Sequence, residues 1–553
     1  MKLTPSGTAI TALLALDSLS RLALVVNAAP SPSSPAAALL LVQRSDAAHR
    51  ETEAVPNCAQ YQGTVGSPRV SDLYLVTSQC RRRHAVQLAT ETRSVTYDFE
   101  TLESQAQGGD SAVGPLFWLR PDDLDVEANI QVQAQTQLVL SQHSAPRSVK
   151  DLLLLLDPEF APAHVIDLDP ISAPNTGGSG ALISLSPSNL THNLAQLEYL
   201  TSHPLLAHWT LVAVPLSSTT PSLAEGSPYP EVPKFAVDRI RHHLDALAFQ
   251  PTLSAIIKSL EGKKAEDRIR QDVQVLSGED QSSLKDHEKW VSRHSMSEGG
   301  HRASDWVHAQ MSSYGFDCSQ LPYLTGFAPM VECVYRDSGL ADDEGGDSKM
   351  RANETVVLGA HSDSRGSFGY PTAPGADDDA SGTSLVLAVA RQIWQHRLQF
   401  SRKLVLALFG GEEQGLLSSS YYARKMRTSG EDVLMMLQVD MVGYRKPGEP
   451  MQLARPDIIG LKEAGWFVGN VSGIYAPELV VGYTPACCSD HQSYVAQGYP
   501  ATWIFERNGA IADPCYHNSC DVSRREGYSF EQIAAHTKVA FATVWELAGG
   551  RLP

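Results

Sequence analysis

Three short runs in the C-terminal half, Thr355 to Gly359, Leu404 to Phe409 and Val433 to Val439, are apolar at nearly every position. Each is followed at once by a cluster of histidine or acidic residues. Runs of this length without a polar alternation read as strands covered on both faces. A sheet built from them needs helices above and below it. The chain is therefore predicted to form an α/β three-layer sandwich, with a mainly parallel, mixed and twisted sheet. One covering helix is legible after Ala380, where Leu385, Leu387, Val389, Ile393 and Trp394 fall on overlapping faces. In open α/β sheets the carboxyl ends of the strands face the ligand crevice. The polar clusters are thus expected to meet there although they lie far apart along the chain.

Five signatures supply those clusters: A-H-S-D at Ala360 to Asp363, P-G-A-D-D-D-A-S-G at Pro374 to Gly382, G-G-E-E at Gly410 to Glu413, Q-V-D at Gln438 to Asp440, and Y-H-N at Tyr516 to Asn518. His361, Asp378, Glu413, Asp440 and His517 would offer two imidazoles and three carboxylates, with Glu412 left over beside a donor. Imidazole mixed with carboxylate suits zinc, and a carboxylate has two oxygens with which to bridge a pair of ions. Two zinc ions sharing one aspartate would each receive one histidine and one private carboxylate. A water between them would become a nucleophile near neutral pH. Any one of these motifs is weak, because a lone histidine after a strand is more often a core or surface residue than a ligand, and acids also favour the first turn of a helix. Their order, their strand context and their complementarity carry the argument together.

The same set resembles the co-catalytic di-zinc aminopeptidases, the metallopeptidase family that holds the bacterial and fungal leucine aminopeptidases. The resemblance spans about the last 300 residues. It rests on H-S-D, the P-G-A-D-D-D-A-S-G loop, G-E-E-Q-G-L, L-Q-V-D-M, and C-S-D-H followed later by Tyr516-His517. It implies that His361 and Asp440 bind one zinc ion, Glu413 and His517 the other, and that Asp378 bridges them. It implies Glu412 as general base and acid, Asp363 behind His361 fixing its tautomer, and Asp379 as a supporting acid. Only the resemblance singles out Asp378 from its two neighbours, and His517 from its rival His491. The implied reaction is hydrolysis of the N-terminal residue of a peptide with a free amino terminus, with the α-amino group held by a metal or by Asp379 or Asp440. A di-zinc carboxypeptidase or dipeptidase, a single-zinc acyltransferase of the glutaminyl cyclase type and a non-catalytic ectodomain are the competing readings.

Composition bounds the rest. The 553 residues carry a formal net charge of -18, which argues against nucleic acid as a partner, since phosphate binding needs a basic face. After the N-terminus no stretch of about 20 apolar residues is long enough to span a bilayer. Residues 1–29 read as a signal peptide, with Lys2, an apolar stretch from Ala9 to Val26, and Ala28-Ala29, although Asp17 and Arg21 interrupt it. Residues 30–57 include an Ala/Pro/Ser-rich stretch and read as a processed or flexible segment. Residues 58–233 form a separate N-terminal region, a propeptide or accessory domain, with strands expected at Leu73 to Val76, Leu152 to Leu156 and Leu211 to Val214. Residues 234–553 form the catalytic domain, opened by helices at Phe235 to Ala248 and Leu253 to Glu261, and Leu340 to Asn353 is an acidic surface insertion. Eight cysteines, an even number in clusters, and sequons at Asn189, Asn353 and Asn470 suit a secreted chain, which is expected to be a monomer. Thr484 stands where the resemblance would place the first cysteine of a loop-closing pair. That leaves Cys487 or Cys488 to reach Cys515 or Cys520.

Overall fold

The computed structural model describes residues 231–335, 354–367, 370–486 and 488–553 continuously, and upstream of them the strands and helices named below, the strands Ala59–Val65 and Thr96–Asp98, the helix Leu190–Thr201, Gly180 and Leu185. The proposed signal segment, Cys58, Cys80, Cys487, Asn189, Asn353 and the 340–353 insertion lie outside the described residues. So does most of the Pro/Ser-rich stretch before residue 231.

Six strands form the central sheet, in the order Ala501–Ile504, Asp432–Val439, Glu354–His361, Lys403–Phe409, Met330–Tyr335 and Asp317–Leu321. The first four run parallel, and the last two join by antiparallel pairings, with Met330–Tyr335 running opposite to the rest, giving the mixed sheet that the sequence predicts. Alternation along the strands feeds two apolar layers. Val356, Leu358, Ala360, Leu404, Leu406 and Leu408 join one buried cluster, while Val357, Val405, Ala407 and Phe409 join the other. Residues of opposite parity point to opposite faces of a sheet.

Helices Lys263–Leu276, Ala380–His396, Lys462–Tyr475 and Phe530–Ala548 cover the first face. Leu417–Thr428 and the short helix His491–Val495 cover the second. In Ala380–His396 the side chains Leu385, Val386, Leu387, Val389 and Ile393 are all inaccessible, each contributing about 1.5–3 kcal/mol by leaving water. Trp394, assigned to the same apolar set from sequence, is half exposed. The helix starts where it does because Asp379 caps it, accepting from Gly382 N at 2.8 Å. A side chain at position 382 would collide with the Asp379 carboxylate and the Val439 carbonyl, so glycine lets the helix end press against the strand end.

The opening helices are Lys234–Ala246 and Pro251–Ile257, the latter continuing as a 3₁₀ turn to Leu260. Upstream lie two four-stranded sheets. One takes in Ala37–Gln43, inside the stretch expected to be processed or flexible, paired with Ser71–Thr77. The other joins Leu116–Pro121, His164–Asp167, Ala181–Ser184 and Trp209–Val214. Leu152 to Leu156, expected as a strand, belongs to the helix Val149–Leu156. Leucines, which carry no branch at Cβ, favour a helix, and Val149, Leu152 and Leu153 make one buried stripe while Leu154 faces out. Leu119, Ile183 and Leu211 of the second sheet share an apolar cluster with Tyr323 and Phe327 of the catalytic unit.

Candidate metal centre

The parallel register sets the site. His361 pairs with Phe409 across the two central strands, and Val439 pairs with Ile504. His361, the Gly410–Glu413 turn and Asp440 therefore leave the sheet at one level. Two donor groups form there, each with ligand atoms within 4.8 Å of one another: His361, Asp379 and Asp440, and Asp378, Glu413 and His517. Asp378 also faces the first group. Its Oδ1 lies 3.0 Å from His361 Nε2 and its Oδ2 3.4 Å from His517 Nε2. His361 Nε2 is 3.6 Å from Asp440 Oδ1, and His517 Nε2 is 3.2 Å from Glu413 Oε2.

Asp379 is close to the first group, but its oxygens are taken up by backbone. They accept from His361 N at 3.1 Å, Gly382 N at 2.8 Å and Met441 N at 3.2 Å. Asp378 lacks such partners on its carboxylate and is the better-placed shared donor. Asp363 Oδ1 lies 3.5 Å from His361 Nδ1, and its two oxygens accept from Glu412 N and Glu413 N at 3.3 Å each. It ties the histidine to the turn that carries both glutamates. Gly411, with φ of 68°, makes that turn possible. Glu412 belongs to neither donor group and, at 9 % exposure, is the most open acid of the site. His491 lies in neither group. Its Nε2 is 3.1 Å from the Ile459 carbonyl and its ring stacks on Trp503, while Asp490 next to it accepts from Gln438 Nε2.

Several supporting residues escaped the sequence reading. Asp521 accepts from the backbone N–H groups of Asp377 and Asp378 at 3.0–3.1 Å. Arg525 donates to Asp521 and forks onto Asp513. Arg293 is wholly buried and donates to the carbonyls of Leu276, Ser362, Pro374 and Gly375, stitching the histidine loop to the aspartate loop. Arg365 lies 3.0 Å from His517 Nδ1 and donates to the Trp209 carbonyl of the upstream sheet. These residues sit in loops without periodicity, and no motif marks them. The cysteine expectation needs correction: Cys515 pairs with Cys520, and Cys318 with Cys333 across adjacent strands. Cys515 and Cys520 are near enough in their own loop to close on each other.

The donors fit a pair of divalent cations. Both ring nitrogens of His361 and both carboxylate oxygens of Glu413 are buried and face other donor atoms of the site, but among the described residues none of them makes a well-directed hydrogen bond, an arrangement proteins avoid unless another ligand is supplied. With Glu412, the three donor carboxylates carry four negative charges, which two divalent cations would neutralise. Without them the cluster binds protons instead. Burial and the neighbouring Asp378 push Glu413 up to about 7. Burial would lower His517, but Glu413 and Asp378 raise it to about 9. Burial and the charges of Asp440, Asp490 and Glu413 raise Glu412 well above the usual carboxylate range. Mixed imidazole and carboxylate donors at this spacing suit zinc.

The sequence profile of peptidase family M28 matches residues 344–544, the span that holds every donor named above. The chain is 29 % identical to a leucine aminopeptidase 1 of Grosmannia clavigera over 290 residues, which cover 50 % of this chain and 68 % of that one. It is 28 % identical to a leucine aminopeptidase 1 of Sclerotinia sclerotiorum over 319 residues, 55 % of this chain and 76 % of the relative. Among solved structures, the Legionella pneumophila LapA aminopeptidase superposes with a TM-score of 0.50 at 17 % identity, over 79 % of this chain and 99 % of that one. That last likeness speaks to the fold alone.

Proposed function

We propose that this metallo-aminopeptidase acts outside the cell on peptides with a free amino terminus, holding two zinc ions that share Asp378. One observation carries the reading: the two oxygens of a single buried carboxylate each face a different imidazole, at 3.0 and 3.4 Å. His361 and Asp440 would hold one ion, Glu413 and His517 the other. When bound, zinc supplies Lewis acidity, polarising a carbonyl oxygen and easing the loss of a proton from water. Glu412 takes that proton and delivers it to the departing amine, a task for an acid with an elevated proton affinity near reacting atoms. Asp363 holds the Glu412–Glu413 turn and orients His361. Because the Asp379 oxygens are occupied by backbone, Asp440 is the acid left to meet the α-amino group.

Secretion is supported by disulfides at all the described cysteines. Among the described residues no helix is long and apolar enough to cross a membrane. On this reading residues 1–29 are a leader, 58–233 a propeptide and 234–553 the catalytic domain. Asn470, exposed on its helix, is the described sequon open to glycosylation.

The test is a matched pair of peptides. A free-amino peptide should be shortened one residue at a time, and its N-acetylated twin should be untouched. Cleavage of the acetylated twin, or loss of residues from the carboxyl end, would replace this reading with a carboxypeptidase. Asp521 gives a second check. Asp521→Asn removes the charge that holds two backbone amides of the aspartate loop, and zinc affinity should fall about 10- to 100-fold, the usual penalty for disturbing a ligand's support. Calorimetric titration of zinc into the metal-free protein measures it.

A further inference from the structure

His517 occupies a conformation that its own backbone disfavours. Its φ is 55°, in the left-handed region that residues with side chains seldom enter. It does so inside a small ring closed by the Cys515–Cys520 disulfide, whose ends are five residues apart. Within the ring Asn518 N donates to the Cys515 carbonyl at 3.0 Å and Cys520 N to Asn518 Oδ1 at 3.1 Å. The Tyr516 ring stacks on His517 with centroids 3.7 Å apart. Ser519 and Ser367 exchange backbone-to-hydroxyl hydrogen bonds at 3.0 Å each, fastening the ring to the loop that follows His361. Asp521, the clamp beneath Asp377 and Asp378, is the first residue outside the ring, and its N–H donates to Asn518 at 3.0 Å. The closed loop thus presents His517 directly and, through the Asp521 hydrogen-bonded to it, supports Asp378, two of the three donors of one group.

A disulfide over so few residues restrains the unfolded chain less than one closing a long loop, so its main effect is local. Building on the two-ion reading above, we propose that the Cys515–Cys520 disulfide is a positioning device for the Asp378, Glu413 and His517 metal position. The oxidised chain then holds zinc there tightly and the reduced chain gives it up. Reduction adds two electrons and two protons to the S–S bond and leaves two thiols. Cys520 is exposed, so a phosphine can reach it, being oxidised to phosphine oxide with water as the source of the oxygen and the protons.

The full chain, its Cys515→Ser/Cys520→Ser variant and its Cys318→Ser/Cys333→Ser variant are dialysed at a series of buffered zinc concentrations, and bound zinc is counted by elemental mass spectrometry. The parent and the second variant should hold two ions. The first variant should show its weaker dissociation constant raised about 10- to 100-fold. Two ions at unchanged affinity in the first variant would overturn the proposal and leave the two-ion reading intact. A parent that binds one ion would overturn both. Should the first variant not fold, the native protein is reduced with tris(carboxyethyl)phosphine, alkylated and mapped. Loss of one ion on alkylation at Cys515 and Cys520 supports the device; two ions retained on a chain alkylated at both sites refutes it.

Discussion

Replacing Glu412 by Gln should lower turnover by about 10²- to 10⁴-fold while leaving the zinc content at two ions per chain. The substitution keeps shape and volume, and Glu412 stands outside both donor groups, so the metal count has no reason to change. What is lost is a group able to accept a proton and give it back. The acid is well suited to the exchange. Burial and three neighbouring carboxylates raise its proton affinity, the positive charge of His361 opposes them, and bound cations would draw it back toward neutrality. Elemental analysis beside steady-state rates on an aminoacyl-nitroanilide checks both halves. Full turnover in the variant would remove Glu412 from the chemistry. Two retained ions with turnover lost would separate its role from that of its neighbour Glu413, whose loss should take metal with it.

Asp378→Ala should be harsher. It deletes the carboxylate that both imidazoles face, and with it one of the four negative charges that a cation pair would neutralise. Zinc should drop from two ions per chain to one or none, and turnover should fall at least as far as in Glu412→Gln, by about 10⁴-fold or more. Asp379→Ala offers the contrast. Asp379 caps a helix and binds three backbone amides, so its loss should appear first as a lower melting temperature of the metal-free protein, since a lost cap costs about 1 kcal/mol and the other amides are orphaned as well. If Asp379→Ala emptied the site while Asp378→Ala kept two ions, the shared carboxylate would be the wrong one.

Much of this architecture was legible because it is periodic or local. Doubly buried strands leave unbroken apolar runs, and the alternation of Val356 with Val357 or Leu404 with Val405 between two cores needs no polar residue to announce it. The motif residues could be placed at strand ends because strands of similar length, in parallel register, stop together. The Leu152 run was misread for the same reason in reverse, since a short leucine stretch suits either period and only its packing partners decide. The second layer of the site left no trace. Arg293 reaches four carbonyls spread over a helix end and two loops, and Asp521 reaches amides 144 and 143 positions away. Such contacts exist only once the chain is folded. The cysteine pairing failed because proximity within a loop competes with proximity across loops, and spacing does not rank them.

The apolar contact between the upstream sheet and Tyr323 and Phe327 bears on what happens when the polypeptide is nicked. A protease that severs the connection near residue 231 breaks a covalent link but leaves Leu119, Ile183 and Leu211 seated against those aromatic rings. The two fragments would co-elute as a non-covalent pair, and maturation by cutting would need a second event, either digestion of the released piece or its displacement, before the crevice changed.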